Sequence, residues 1–157
     1  MKKISVLLLS IFIVFGCTNN NKASDGETGG NNLVWYSTIE EAVKIAQKED
    51  KPILVQFSGS DWCQWCIKLN NEVLHTKAFG DYAKDNLVLV NLDFPRTIPQ
   101  TDEVRNYNRM QMNKYGVRGL PTVLLMDKNG NVVKVTGYQP GGPAAYIQHI
   151  KAAYGIE

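Results

Sequence analysis

The chain is short of several things that would point to a function. Histidine occurs twice in 157 residues, at His75 and His149, each alone on its segment. A zinc site built on the cysteines would need two further ligands, so a metal centre is not expected. Covalent haem attachment needs a histidine after the second of a close pair of cysteines, and Ile67 stands there. No apolar run approaches the roughly 20 residues needed to cross a bilayer; the longest, Ile4 to Phe15, has 12. Charge of one sign is not in excess either. Lys+Arg is 17 and Asp+Glu 15, and two of the cations, Lys2 and Lys3, lie in a leader read below as removed, leaving 17 − 2 = 15 against 15. A neutral domain has no electrostatic case for nucleic acid, and the arginines at 96, 105, 109 and 118 read as a solvated face. Internal repeats are absent, and the length suits one domain with a real core.

What is present centres on Trp62-Cys63-Gln64-Trp65-Cys66. The apolar run Ile53-Leu54-Val55-Gln56-Phe57 before it reads as a buried strand. The segment Ile67 to Leu74 after it, apolar at 67, 69, 73 and 74, has loosely helical spacing. Two cysteines three apart at a helix start sit where unpaired N–H groups and the positive end of the helix dipole favour thiolate over thiol. Cysteine pKa values in such places fall to roughly 3.5–7.5 from about 8.5. Positions i and i+3 share a helix face, so Cys66 can attack a mixed disulfide formed by Cys63. The alternative is a static bridge, which across two intervening residues closes too short a loop to add much entropic stability. The pair reads as a dithiol/disulfide switch.

The third cysteine belongs to the N-terminus. Met1-Lys2-Lys3 followed by the 12-residue run has signal-peptide proportions. The run ends in Val14-Phe15-Gly16-Cys17, which resembles the lipobox of bacterial lipoproteins, where the cysteine is diacylated and becomes the mature N-terminus. The expected division is a signal peptide at 1–16, a lipidated Cys17 with a tether to residue 32, and a folded domain at 33–157. An ordinary secretory signal with a stray cysteine is the alternative. Two acyl chains anchor stably where one does not. Thr18 to Asn32 is Asn-, Gly-, Ser- and Thr-rich and is expected to act as a coil of roughly 20 Å span. Thr18 in place of Asp after the cysteine tips the expectation, for a two-membrane bacterium, towards the outer membrane.

Along the domain, Ser37 with Glu40 and Thr38 with Glu41 form overlapping capping-box patterns ahead of a helix that stops before Pro52. A short helix is expected near 77–84, a strand at 87–93, a loop at 94–101 and a polar-surfaced helix at 102–115. Strands at 123–126 and 132–136 flank Lys128-Asn129-Gly130-Asn131, where Asn-Gly readily supplies the positive φ of a hairpin turn. Pro143 leads into a final helix to Tyr154. Trp35 and the tyrosines read as packing residues. Alternation ending in a hairpin predicts an α/β domain with a mixed central sheet and helices on both faces.

Strand–WCxxC–helix, followed by Tyr115-Gly116-Val117-Arg118-Gly119-Leu120-Pro121-Thr122 and its hairpin with Pro121 placed 55 residues after Cys66, resembles the thioredoxin superfamily over residues 33–157. The lead-in Ser58-Gly59-Ser60-Asp61 and the downstream Gly137-Tyr138-Gln139-Pro140-Gly141-Gly142-Pro143 look most like secreted bacterial thioredoxin-like lipoproteins. The resemblance implies a thioredoxin fold, no cofactor, and Cys63 and Cys66 as the catalytic pair. It makes Pro121 a cis-proline facing the disulfide, with Leu120 offering its backbone to a substrate strand and Trp62 flanking the reactive sulfur. It implies thiol–disulfide exchange on exported proteins from a membrane tether facing the periplasm or cell exterior, with an integral-membrane thiol carrier as electron donor. The dipeptide Gln64-Trp65 leaves direction open over the family's range of about −270 to −120 mV. The thioredoxin-like YGVRGLPT segment implies a reductase; an oxidase, an isomerase and a binding module for cysteine- or metal-bearing partners are the alternatives. Thioredoxins place a buried acid near the second cysteine, whereas Gln56 stands nearest that position here. Asp61, Glu72 or water is left to take that role.

Overall fold

The computed structural model describes residues 28–29 and 33–156; the leader, Cys17 and most of the expected tether lie outside them. The elements are β1 (Thr28–Gly29), β2 (Leu33–Tyr36), α1 (Ile39–Glu49), β3 (Ile53–Ser58), α2 (Gln64–Leu69), a π-helical turn (Asn70–Leu74), α3 (Lys77–Asn86), β4 (Val88–Asp93), α4 (Asp102–Lys114), β5 (Thr122–Met126), β6 (Val132–Thr136) and α5 (Gly142–Tyr154). Sheet order is β1-β2-β4-β3-β5-β6. β2, β4 and β3 run parallel, while β5 and β6 are antiparallel additions on one side. Five strands make the thioredoxin-fold sheet, and β1 adds a two-residue antiparallel edge, pairing Thr28 with Val34 and Gly29 with Leu33. Those two residues belong to the stretch expected to be tether. Backbone pairing, which needs no apolar side chain, accounts for the difference.

The apolar run of β3 is buried along its whole length because helices cover both faces of the sheet. Its side chains alternate between two cores, as the two-residue period of a strand requires. Ile53, Val55 and Phe57 join Leu124 and Met126 of β5 in the core closed by Ile39, Ala42 and Ala46 of α1. Leu54 joins Val123 and Leu125 in the core closed by Leu69, Val73, Phe79, Tyr146 and Ile150. Gln56 and Ser58 therefore fall on the second face, the side of α2 and α5.

Thr38 is the N-cap of α1, its hydroxyl accepting from the Glu41 N–H at 3.4 Å, so the second of the two overlapping capping patterns is the one used. In the segment after Cys66, Leu69, Val73 and Leu74 are buried as expected, but Ile67 is exposed. The reason is the π turn. His75 N–H reaches back to Asn70 O at 2.8 Å, one residue further than an α-helix would, and the shifted register brings both Val73 and Leu74 inward. The 127–131 turn also differs from expectation, because only Gly130 takes a positive φ (84°). The Asp127 carboxylate accepts from the N–H groups of Asn129 and Asn131, each at 2.9 Å, and the register slips between Leu125 and Met126. Asn-Gly serves a longer loop with a bulge, in which one left-handed residue suffices.

Candidate active site

The disulfide sits where β3 hands over to α2. Backbone turns at Gly59 lead the chain round: the N–H groups of Trp62 and Cys63 both donate to Gly59 O, at 3.3 and 2.9 Å. Cys63 is the N-cap residue of α2 and Cys66 lies in its first turn; the two are joined as a disulfide with Cα atoms 5.2 Å apart. The Cys63 sulfur occupies the place of a capping oxygen, accepting the Cys66 N–H at 3.3 Å. That is the donor and dipole environment that stabilises a thiolate once the bond is reduced. The two sulfurs are unequally placed. Cys63 keeps 7% of its surface and Cys66 none.

Trp62 is 37% exposed and held from several sides. Its indole N–H donates to Phe94 O at 2.8 Å, and its ring lies against Gly59, where an added Cβ would stand 2.7 Å from ring atoms. The Arg96 guanidinium lies over the ring, 3.9 Å from its centroid. Asp61 staples this loop down: its carboxylate accepts from Arg96 N–H at 2.9 Å, from Thr97 N–H at 2.6 Å and from the Thr97 hydroxyl. These bonds, the Thr97 hydroxyl foremost, hold the Asp61 carboxyl well below the usual carboxylate range.

Leu120-Pro121 is cis, as the resemblance implies. Thr122 pairs with Phe57, one residue before the end of β3, so the register sets Pro121 at the same end of the sheet as the cysteine loop. The Leu120 side chain packs against the core on the α1 side. Trp65 is 57% exposed and rests on Tyr138, with ring centroids 5.4 Å apart. The Tyr138 hydroxyl donates to Glu72 at 2.6 Å, and Lys68 lies about equally near both rings, at 5.2 and 5.1 Å.

Neither carboxylate considered for the proton role is idle. Asp61 serves the 96–97 loop, and Glu72 serves Tyr138 and Lys68, the latter at 3.8 Å. Gln56, 3% exposed, donates to Asn70 Oδ1 at 2.8 Å. Asn70 lies one helical turn beyond Cys66 and donates its own N–H to Cys66 O, so Gln56, the residue that stands nearest the thioredoxin acid in the sequence, is held in a neutral amide pair. Sequence reasoning left Arg96, Thr97 and Tyr138 out of the site. They join it across separations from 96 − 62 = 34 residues for Arg96 on Trp62 to 138 − 65 = 73 for Tyr138 on Trp65, and no local pattern marks them.

A disulfide thus caps a helix at the end of a mixed sheet, with Leu120-Pro121 at that same end. The chain matches the thioredoxin-like domain family over residues 39–153 and is a member of it. It is 38% identical over 122 residues to the disulfide bond reductase DsbH of Chlamydia pneumoniae, the match covering 78% of this chain and 73% of that protein. It is 29% identical over 126 residues to the thioredoxin-related protein DsbJ of the same organism, which covers 80% of this chain but only 34% of DsbJ. A solved DsbH oxidoreductase superposes with a TM-score of 0.75 at 33% identity, covering 89% of this chain and 96% of that one. The chain is a thiol–disulfide oxidoreductase of the thioredoxin superfamily.

Proposed function

We propose that the protein is a protein-disulfide reductase working on exported proteins from a lipid anchor at Cys17, with a tether between that anchor and β1. The carrying observation is the unequal burial of the two sulfurs at the start of α2. Cys63, reachable and capped by helix N–H groups, attacks one sulfur of a substrate disulfide, and the other leaves as a thiolate that takes a proton. Cys66 then attacks the Cys63 sulfur, releasing the second substrate thiol and closing the Cys63–Cys66 bond. Two electrons pass to the substrate, and a dithiol donor, for which an integral-membrane thiol carrier is the fitting class, restores the pair. Trp62 is an apolar wall beside the attacking sulfur. The Leu120 backbone, set by Pro121, is an edge on which a substrate strand pairs. With Gln56 and Asn70 uncharged beneath Cys66, its proton goes to water. The reducing direction draws support from the 38% identity to a protein named as a disulfide bond reductase.

Insulin reduction coupled to a measured redox potential tests this. A reductase turns insulin over and poises near thioredoxin's value of about −270 mV; a potential near −120 mV would make it an oxidase instead. Binding of thiol partners without turnover would sink the enzymatic reading altogether. Cys17→Ser should move the exported protein from the membrane to the soluble fraction, and persistent attachment would defeat the anchor.

A further inference from the structure

Two cations stand over aromatic rings beside the disulfide, and they are partnered differently. Lys68, over Trp65 and Tyr138, has Glu72 within 3.8 Å. Arg96, over Trp62, is exposed, and among the described residues its guanidinium has no carboxylate in salt-bridge range. Nor does Asp61 answer it, since that carboxylate is taken up by the backbone N–H groups of Arg96 and Thr97 and by the Thr97 hydroxyl. Stacking uses the flat face of a guanidinium. Its N–H donors lie in the plane and stay available in a fork that matches a carboxylate.

The cation is also held in place. Asp61 fastens the Arg96 backbone, Trp62 is fastened by Phe94 O, and the ring is backed by Gly59. A fixed, unpaired, forked donor thus stands over the residue that immediately precedes Cys63. We infer that Arg96 is a specificity determinant that selects substrates carrying an Asp or Glu side chain beside the cysteine to be attacked. The inference rests on the reading of Cys63 as the attacking sulfur. A substrate strand paired alongside Leu120 would present residues next to its cysteine to the rim where Arg96 stands, and a lysine there would meet a like charge with no counterion. The electrostatic contribution acts mainly on the encounter and on the lifetime of the docked strand, so it appears in the second-order rate.

The test uses the pre-reduced full chain in single turnover with three disulfide-bonded peptides identical except for Glu, Gln or Lys beside the cysteine. At low ionic strength the Glu peptide should be reduced about fivefold faster than the Lys peptide, the effect expected of a good exposed ion pair. Salt should shrink that ratio, because at 1 M the screening length falls to about 3 Å. Arg96→Gln should bring the three rates to within about twofold of one another, whereas Arg96→Lys should keep part of the preference. A role confined to holding the loop would instead slow all three peptides by one common factor. Equal Glu and Lys rates in the wild type, or a ratio untouched by Arg96→Gln, overturns the inference while leaving the redox reading in place. Reduction of none of the peptides removes the redox reading, and this inference with it.

Discussion

The motif contains the dipeptide Trp-Cys twice, at 62–63 and 65–66, and the fold gives the two copies opposite treatment. In the first copy the ring is fastened, by Phe94 O, Gly59 and Arg96, while the cysteine keeps 7% of its surface. In the second copy the ring lies open on Tyr138 and the sulfur is sealed in the core. The helix start separates them. Cys63 caps α2 from a loop conformation, φ −83° and ψ 103°, so its side chain stays on the rim. Two and three residues later the chain is helical, where successive side chains are turned by about 100°. Cys66 consequently points at the core and Trp65 away from it. On the proposed mechanism, backbone position alone gives identical local chemistry an attacking role in one copy and a resolving role in the other.

The sharpest way to break this comparison is to exchange the roles. Cys63→Ser should reduce disulfide exchange to background, whereas Cys66→Ala should still attack and should accumulate mixed disulfides, visible on non-reducing gels. If Cys63→Ser traps partners and Cys66→Ala does not, the order of attack is reversed. Next in size is Gly59→Ala. Its Cβ would stand 2.7 Å from the Trp62 ring, so ring or loop must move, at a cost of about 1–3 kcal/mol in denaturant unfolding. An unchanged midpoint would show that Trp62 is not fastened as described.

A smaller effect separates the two rings. Trp62→Phe loses the indole hydrogen bond to Phe94 O and should cost about 1 kcal/mol, while Trp65→Phe, on an exposed ring, should stay within about 0.5. Equal costs would erase the distinction between the copies. The smallest effect is in acid. Hydrogen bonding lowers the folded Asp61 pKa, so its stabilisation is complete above the unfolded carboxylate value of about 3.9 and is lost as pH falls towards the folded value. The stability gap between wild type and Asp61→Asn should be flat from neutral pH to about 5 and should narrow below that. A gap that widens on acidification would mean that Asp61 is not ionised in the folded loop.

Several of these features were legible in the residues themselves, and they share a property. The buried strand 53–57, the cap at Thr38, the CxxC at a helix start and the Gly-Leu-Pro-Thr unit before β5 each depend on neighbours within a few positions. Backbone propensity, capping and periodicity act over that range, so spacing alone determines them. The polar α4 shows where this stops. It was readable as a helix, but its inward face buries Asn108 and Gln111 in place of an apolar stripe. Asn108 donates to Asp93 O at 2.8 Å, and Tyr107 donates to Glu40 while accepting the Ile39 N–H at 2.7 Å, so hydrogen bonds add to the packing of Tyr107 and Met112 against the core. Its partners are up to 71 residues away.

The sequence by itself determined the strand–cysteine–helix unit and the alternation of the domain, because hydrogen bonds between near neighbours are encoded in spacing; the cis-proline at Pro121 came from the resemblance to the thioredoxin superfamily and from no local pattern. Tertiary structure alone decided that Arg96 would stack on Trp62, that Asp61 would hold residues 96 and 97, and that Tyr138 would support Trp65. Each of those contacts joins segments far apart in the chain that strand order brings together. That order is settled by which faces bury which side chains, a property of the whole core and of no single segment.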